Sequence, residues 1–315
     1  MEFQNKPKTV FVQIPSYRDW ELPHTVKDAL EKSSGENTIT FGLHNCIHSE
    51  DDLNIDFQNK NIRIKTSIAP NNVGVLKSRK IANSFYDGED YYLQIDAHMR
   101  FVKNWDNILI REHDAYKQLG VAKPLITQYP GDYQYDNLPN YLNPPYSEMC
   151  ICFCGSPQQF YETLIPTQTA ITSKQNCGFH YSVSSAFIFT DGDFANIVPN
   201  EKIAFWGEEL LVAARAFTHG YDIVIPRKFV MWHLYASGRS FEHIRRHHVW
   251  QDFPELWQEM DIASKAEYLS IFTERRVSDD ALGTDRTLEE FEEFTGLDFA
   301  NKTIKCWIHE NHAIS

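Results

Sequence analysis

Tyr91-Tyr92-Leu93-Gln94-Ile95-Asp96-Ala97-His98 is the stretch on which the fold and the chemistry of this chain both turn. Its first five residues read as a strand buried on both faces, because a parallel strand covered by helices need not alternate apolar with polar. The strand runs straight into an Asp, with a His two residues later. At that spacing on a strand end both side chains lie on one face, so they can share one divalent ion and leave its other positions to phosphate oxygens and water.

Upstream, Thr9-Val10-Phe11-Val12-Gln13-Ile14 is a β-rich run that Pro15 is expected to stop, followed by a loop at Ser16-Tyr17-Arg18-Asp19. Leu22 to Lys32 has helical apolar spacing, and Ile39 to Leu43 is again strand-like. Strand, helix and strand in succession predict a right-handed βαβ unit with parallel strands. A third strand over Asn61 to Ile68 and a helix over Gly74 to Asp87, carrying Arg79, lead back to Tyr91. Ligands of open α/β sheets lie outside the carboxyl ends of the strands, where both polar clusters fall.

Downstream, prolines break residues 120–176 into an irregular, substrate-facing excursion around a strand whose alternating Cys150, Cys152 and Cys154 read as reduced core thiols. Ser184 to Thr190 returns to strand. Phe205-Trp206-Gly207-Glu208-Glu209 opens a helix with Leu210, Leu211, Ala214 and Phe217 on one face, and late strands follow at Tyr221–Pro226 and Phe229–His233. Past residue 240 the pattern is helical and charged. The expected fold is therefore α/β, with a catalytic domain over residues 1–240 and a mainly helical extension over 241–315 packed on it.

A net charge of −13 over 315 residues argues against a nucleic-acid binder, which needs clustered Lys and Arg. No uncharged apolar run is long enough for a membrane span, and six cysteines are no disulfide framework, so a cytoplasmic protein is expected. Walker loops, G-x-S-x-G elbows, C-x-x-C pairs and H-E-x-x-H helices are absent. What remains is a metal site at Asp96 and His98, for which His233 is the best-placed third ligand and His247-His248 the runner-up. Arg79 has a fork that suits a diphosphate. Glu208 and Glu209 offer carboxylates for a sugar or acceptor hydroxyl or for positive charge on a departing glycosyl carbon, and Trp206 a flat face for a sugar ring.

Phe11 to Asp19, the Arg79 helix, Asp96-Ala97-His98-Met99-Arg100-Phe101 with Trp105-Asp106, and Phe205-Trp206-Gly207-Glu208-Glu209 with Thr218-His219-Gly220-Tyr221-Asp222 together resemble one family. It is that of the Skp1 hydroxyproline N-acetylglucosaminyltransferase-like enzymes. The resemblance implies a GT-A type, Rossmann-like sheet, UDP-N-acetylglucosamine as donor, a divalent cation with Mn2+ preferred, and retention of anomeric configuration. It would place Pro15, Ser16, Tyr17 and Arg18 against the nucleotide, Arg79 at the diphosphate or sugar, and Asp96 and His98 on the metal. Trp206, Glu208 and Glu209 would lie beside the donor sugar and a protein, peptide or glycan acceptor. The mucin-type polypeptide N-acetylgalactosaminyltransferases, which also use Asp-x-His plus a later His, raise His233 in the same way. The readings weighed against transfer are an inactive sugar- or nucleotide-binding module and a metal-dependent nucleotide-sugar hydrolase.

Overall fold

The computed structural model describes residues 6–49, 55, 57–133, 149–154, 160, 162–172, 181–197, 199–235 and 247–304. Strands β1 (Thr9–Tyr17), β2 (Thr38–Ile47), β3 (Ile62–Ile68) and β4 (Tyr91–Ile95) are joined by helices α1 (Leu22–Lys32) and α2 (Val75–Asn83). With β6 (Pro124–Thr127), β10 (Phe187–Asp191) and β11 (Asp222–Val224) they form one sheet in the order β11-β6-β10-β4-β1-β2-β3. Every neighbouring pair is parallel except those of β10, which runs against β4 and β6. The mixed α/β class expected from the sequence, a mostly parallel sheet flanked by helices, is what the chain adopts.

The sheet is covered on both faces, as the unalternating strands require. On β1, Val10, Val12 and Ile14 pack with Leu22, Val26 and Ala29 of α1 and with Trp105 and Leu109 of α3 (Trp105–Gln118). Phe11 points the other way, into a core shared with Leu76 of α2 and with Leu210, Leu211 and Ala214 of α4 (Glu208–Thr218). Helices α5 (Val249–Asp252), α6 (Pro254–Thr273) and α7 (Leu288–Thr295) follow, and Tyr268, Ile271, Phe272 and Phe291 from the last two join that second core.

Two details differ from the sequence reading. β1 continues through Pro15 to Tyr17; beyond Gln13 it pairs with β2 alone, so half of its N–H groups face no strand and a missing one is tolerated. Within the stretch read as irregular, Pro124–Thr127 is a central strand, with proline at the first position, where it does least harm. The strand Met149–Cys154 pairs with Thr167–Thr172 and buries Ile151 and Phe153, while its three cysteine side chains lie outside the described residues.

The late strand also lands elsewhere: β12 (Met231–His233) leaves the main sheet and lies between β5 (Met99–Phe101) and β7 (Gly131–Asp132). Its register sets His233 opposite Met99, and Leu234 N–H donates to His98 O at 3.1 Å. That pairing carries a residue from the far end of the sheet topology to the Asp96–His98 turn. Among the described residues no helix is long and apolar enough to cross a membrane.

Helix α2 lies unusually close to the sheet at Gly42. A Cβ there would stand 2.3 Å from the Phe11 ring and 2.5 Å from the carbonyl oxygen of Ala82 in α2. Gly42→Ala should therefore cost about 1–3 kcal/mol by overpacking. Urea unfolding should show this as a lower midpoint with an unchanged slope.

Candidate metal centre and nucleotide cavity

Asp96 leaves β4 into a turn that α1 holds from behind. Thr25 Oγ1 donates to Ala97 O at 2.7 Å and accepts from Met99 N–H at 2.8 Å, so the turn is clamped at both its ends. His98 Nδ1 donates to Asp19 Oδ2 at 2.7 Å, which leaves Nε2 bare toward the cavity. His98 Nε2 lies 2.9 Å from His233 Nε2, and His233 Nε2 lies 3.2 Å from Asp96 Oδ2.

All three ligand atoms fall within 4.8 Å of one another. Without an ion, two nitrogen lone pairs at 2.9 Å need a proton between them; a cation would satisfy both at once. One carboxylate oxygen and two imidazole nitrogens suit Mn2+, Fe2+, Co2+ or Zn2+ better than Ca2+. Burial raises the Asp96 pKa, but the His233 hydrogen bond and the Arg79 charge overcome it and hold the carboxyl well below the usual range. The group is ionised and ready to bind.

Arg79 is placed differently from the expectation. It is 1% exposed and lies behind the cavity, with four hydrogen bonds to protein groups. Nε donates to Glu208 Oε1 at 2.7 Å, Nη1 to Gln13 Oε1 at 3.0 Å, and Nη2 to Asp96 Oδ1 at 3.1 Å and to Ser185 O at 3.0 Å. A diphosphate finds no open face on it. Its place in the site is to fix the Asp96 carboxylate, with Glu208 as the counter-charge that lets a guanidinium sit in the dry interior.

The Trp-Gly-Glu-Glu segment is divided by its geometry. Glu208 is buried against Arg79, and burial still pushes its pKa up in spite of that charge. Glu209 accepts from Ser185 N–H at 3.0 Å and from Gln168 Nε2 at 2.6 Å, and burial pushes its carboxyl up to about 8. Gly207 takes φ +85° at the N-cap, where a Cβ would meet the Tyr268 ring at 2.6 Å. Trp206 is turned outward and 53% exposed.

In front of the metal cluster is a cavity of about 330 Å³. Pro15, Ser16, Tyr17 and Arg18 form one wall with Asp19, and Asp96, His98 and His233 lie in the same lining. The structure thus brings the expected metal and loop residues around one space, while Arg79, Glu208, Glu209 and Trp206 do not line it. A second wall was not foreseen. It is built by Phe205 with His247, His248, Val249, Trp250 and Trp257, in which Trp250 stacks on His248 at 4.2 Å. His247 and His248, the alternative ligands, belong to this wall rather than to the metal cluster. Asp252 ties the two walls together, since its Oδ2 accepts from Tyr17 Oη and from Arg18 Nη1, each at 2.8 Å.

Residues 38–301 match the protein family described as Glycosyltransferase (GlcNAc). Among solved structures, a crystal structure of GalNAc-T7 with UDP, GalNAc and Mn2+ is similar with a TM-score of 0.49 and 11% identity, over 93% of this chain and 56% of that one. The 1–349 fragment of S. aureus TarS in complex with UDP-GlcNAc is similar with a TM-score of 0.41 and 15% identity, over 85% of this chain and 71% of that one. The chain thus spans little more than half the length of the first of these. No curated protein matches it.

Two measurements probe the buried charges. Arg79→Met takes the counter-charge away from Asp96 and Glu208 and should cost about 3–5 kcal/mol in urea unfolding, part of which Glu208→Gln in the same chain restores. Glu209 titrates higher folded than its ordinary value of 4.5, so the folded state binds the extra proton between 4.5 and about 8. Its stabilising contribution is full below 4.5 and is lost as pH rises through about 8. Unfolding free energies measured across that window should fall less steeply in Glu209→Gln than in the native sequence.

Proposed function

The chain belongs to the glycosyltransferase (GlcNAc) family, and from that premise we propose that it transfers N-acetylglucosamine from UDP-N-acetylglucosamine with retention of configuration. The acceptor is a hydroxyl of a protein, on hydroxyproline, Ser or Thr, or of a glycan, and the branch of the family we propose is that of the Skp1 hydroxyproline N-acetylglucosaminyltransferase-like enzymes. One observation carries the reading: Asp96, His98 and His233 converge at the edge of a cavity whose lining includes the Pro15–Asp19 end of β1 and an aromatic wall. A reducing, cytoplasmic setting belongs to it, in keeping with the buried free thiol of Cys46.

Residues 1–240 act as the GT-A catalytic domain, and residues 241–315 are a helical extension that contributes the His248–Trp250 side of the cavity. A divalent cation, Mn2+ by preference, would be held by Asp96 Oδ2, His98 Nε2 and His233 Nε2 and would supply positive charge against the departing diphosphate. Asp19 keeps His98 in the tautomer that presents Nε2. Arg79 and Glu208 hold the Asp96 carboxylate in place before substrate arrives. Pro15, Ser16, Tyr17 and Arg18 bind the nucleotide. The exposed Trp206, beside Phe205 at a ring separation of 5.3 Å, receives the acceptor, and Glu209 orients its hydroxyl. That hydroxyl attacks the anomeric carbon on the face from which the diphosphate leaves and gives its proton to the departing phosphate oxygen.

Incubation with UDP-sugars and Mn2+, with and without acceptors, tests this. UDP release should be fastest with UDP-N-acetylglucosamine, should rise with a suitable acceptor, and should fall at least ~100-fold in Asp96→Ala. Metal-dependent release that survives Asp96→Ala overturns the assignment. Silence with every donor would instead favour a binding module, and release that no acceptor enhances a hydrolase.

A further inference from the structure

His44, on β2, is fully buried between two hydroxyls: Nδ1 lies 2.7 Å from Ser78 Oγ and Nε2 3.0 Å from Ser67 Oγ. Ser67 Oγ also accepts from Asn72 Nδ2 at 3.1 Å. Ser78, on α2, is 7% exposed and lines the cavity. Burial pushes the His44 pKa down to about 4, so at neutral pH the ring has one donor and one acceptor nitrogen.

The neighbours decide which is which. If Nε2 carried the proton, the ring would donate to Ser67 Oγ and accept from Ser78. The Ser67 hydroxyl, 8% exposed and with its oxygen already taking two donors, would then keep a proton with no acceptor among the described hydrogen bonds. With the proton on Nδ1, Ser67 donates to Nε2 and Nδ1 donates to Ser78 Oγ. The one proton left over is that of Ser78, at the cavity wall, where a ligand can take it. Leaving a buried donor unpaired costs more than leaving one at a cavity, so the second arrangement holds.

We infer that Ser78 is a ligand contact that donates a hydrogen bond to a carbonyl or phosphate oxygen of the nucleotide, and that His44 is the positioning residue that aims it. The chain of donors runs from Asn72 through Ser67 and His44 to Ser78. This rests on the reading of the cavity as the UDP-sugar site.

Calorimetric titration of the full chain with UDP and Mn2+ should show about tenfold weaker binding in Ser78→Ala, the loss of one hydrogen bond. His44→Phe should weaken binding in the same direction, and His44→Phe with Ser78→Ala should be no weaker than Ser78→Ala alone. Titrations with uridine and with inorganic pyrophosphate locate the oxygen: the Ser78→Ala loss follows uridine for the nucleoside and pyrophosphate for the diphosphate. UDP affinity unchanged in Ser78→Ala overturns the contact, and additive losses overturn the aiming by His44. Independently of any ligand, nitrogen NMR should find Nδ1 of His44 protonated and Nε2 bare; the reverse overturns the donor chain. Native protein that binds no UDP would overturn the nucleotide reading of the cavity and the Ser78 contact with it, while the imidazole signals still report the tautomer.

Discussion

A guanidinium without access to water must find its charge and its hydrogen-bond acceptors inside the protein, and Arg79 meets that demand from four directions. β1 supplies Gln13, β4 supplies Asp96 at its end, α4 supplies Glu208 and the approach to β10 supplies Ser185. These elements come from separate parts of the chain, yet one planar ion requires them all within hydrogen-bond reach. The Asp96 carboxylate is therefore aimed by a group it does not share with any ligand. One oxygen faces Arg79 and the other faces the two histidines.

The same division of labour recurs around the cavity. Asp19 holds His98 from behind, Thr25 holds the turn between Asp96 and Met99, and Ser185 N–H and Gln168 hold Glu209. Each of these groups is backed by a partner from another part of the chain. The interior is polar here at considerable desolvation cost, which is the arrangement expected where geometry matters more than stability.

Much of this was legible locally. The βαβ unit of β1, α1 and β2 shows in apolar periodicity over a dozen residues, and the Asp96–His98 pair is visible because a strand ends on it. Pro15 and Pro124 misled, since a proline reads as a break until one knows that the strand's N–H faces nothing or that the residue is its first. The inward turn of Arg79 was invisible because a lone arginine on a helix carries no sign of which face it occupies. The partnership of Asp252 with Tyr17 and Arg18 joins residues 234 and 235 positions apart, a distance over which no periodicity carries information. Asp19, by contrast, stands in the Ser16–Asp19 cluster without a sign of its role, because its partner His98 lies in the turn after β4, 79 residues on.

That last tie has a consequence in time. During synthesis at roughly 5–20 residues per second, the loop at Tyr17 and Arg18 leaves the ribosome some ten to fifty seconds before Asp252 does. In the interval the βαβ half can fold around its own core, but one wall of the cavity is missing and the two side chains have no anchor. The pocket is thus among the last parts of the molecule to exist, completed by a late segment of the chain closing on an early one.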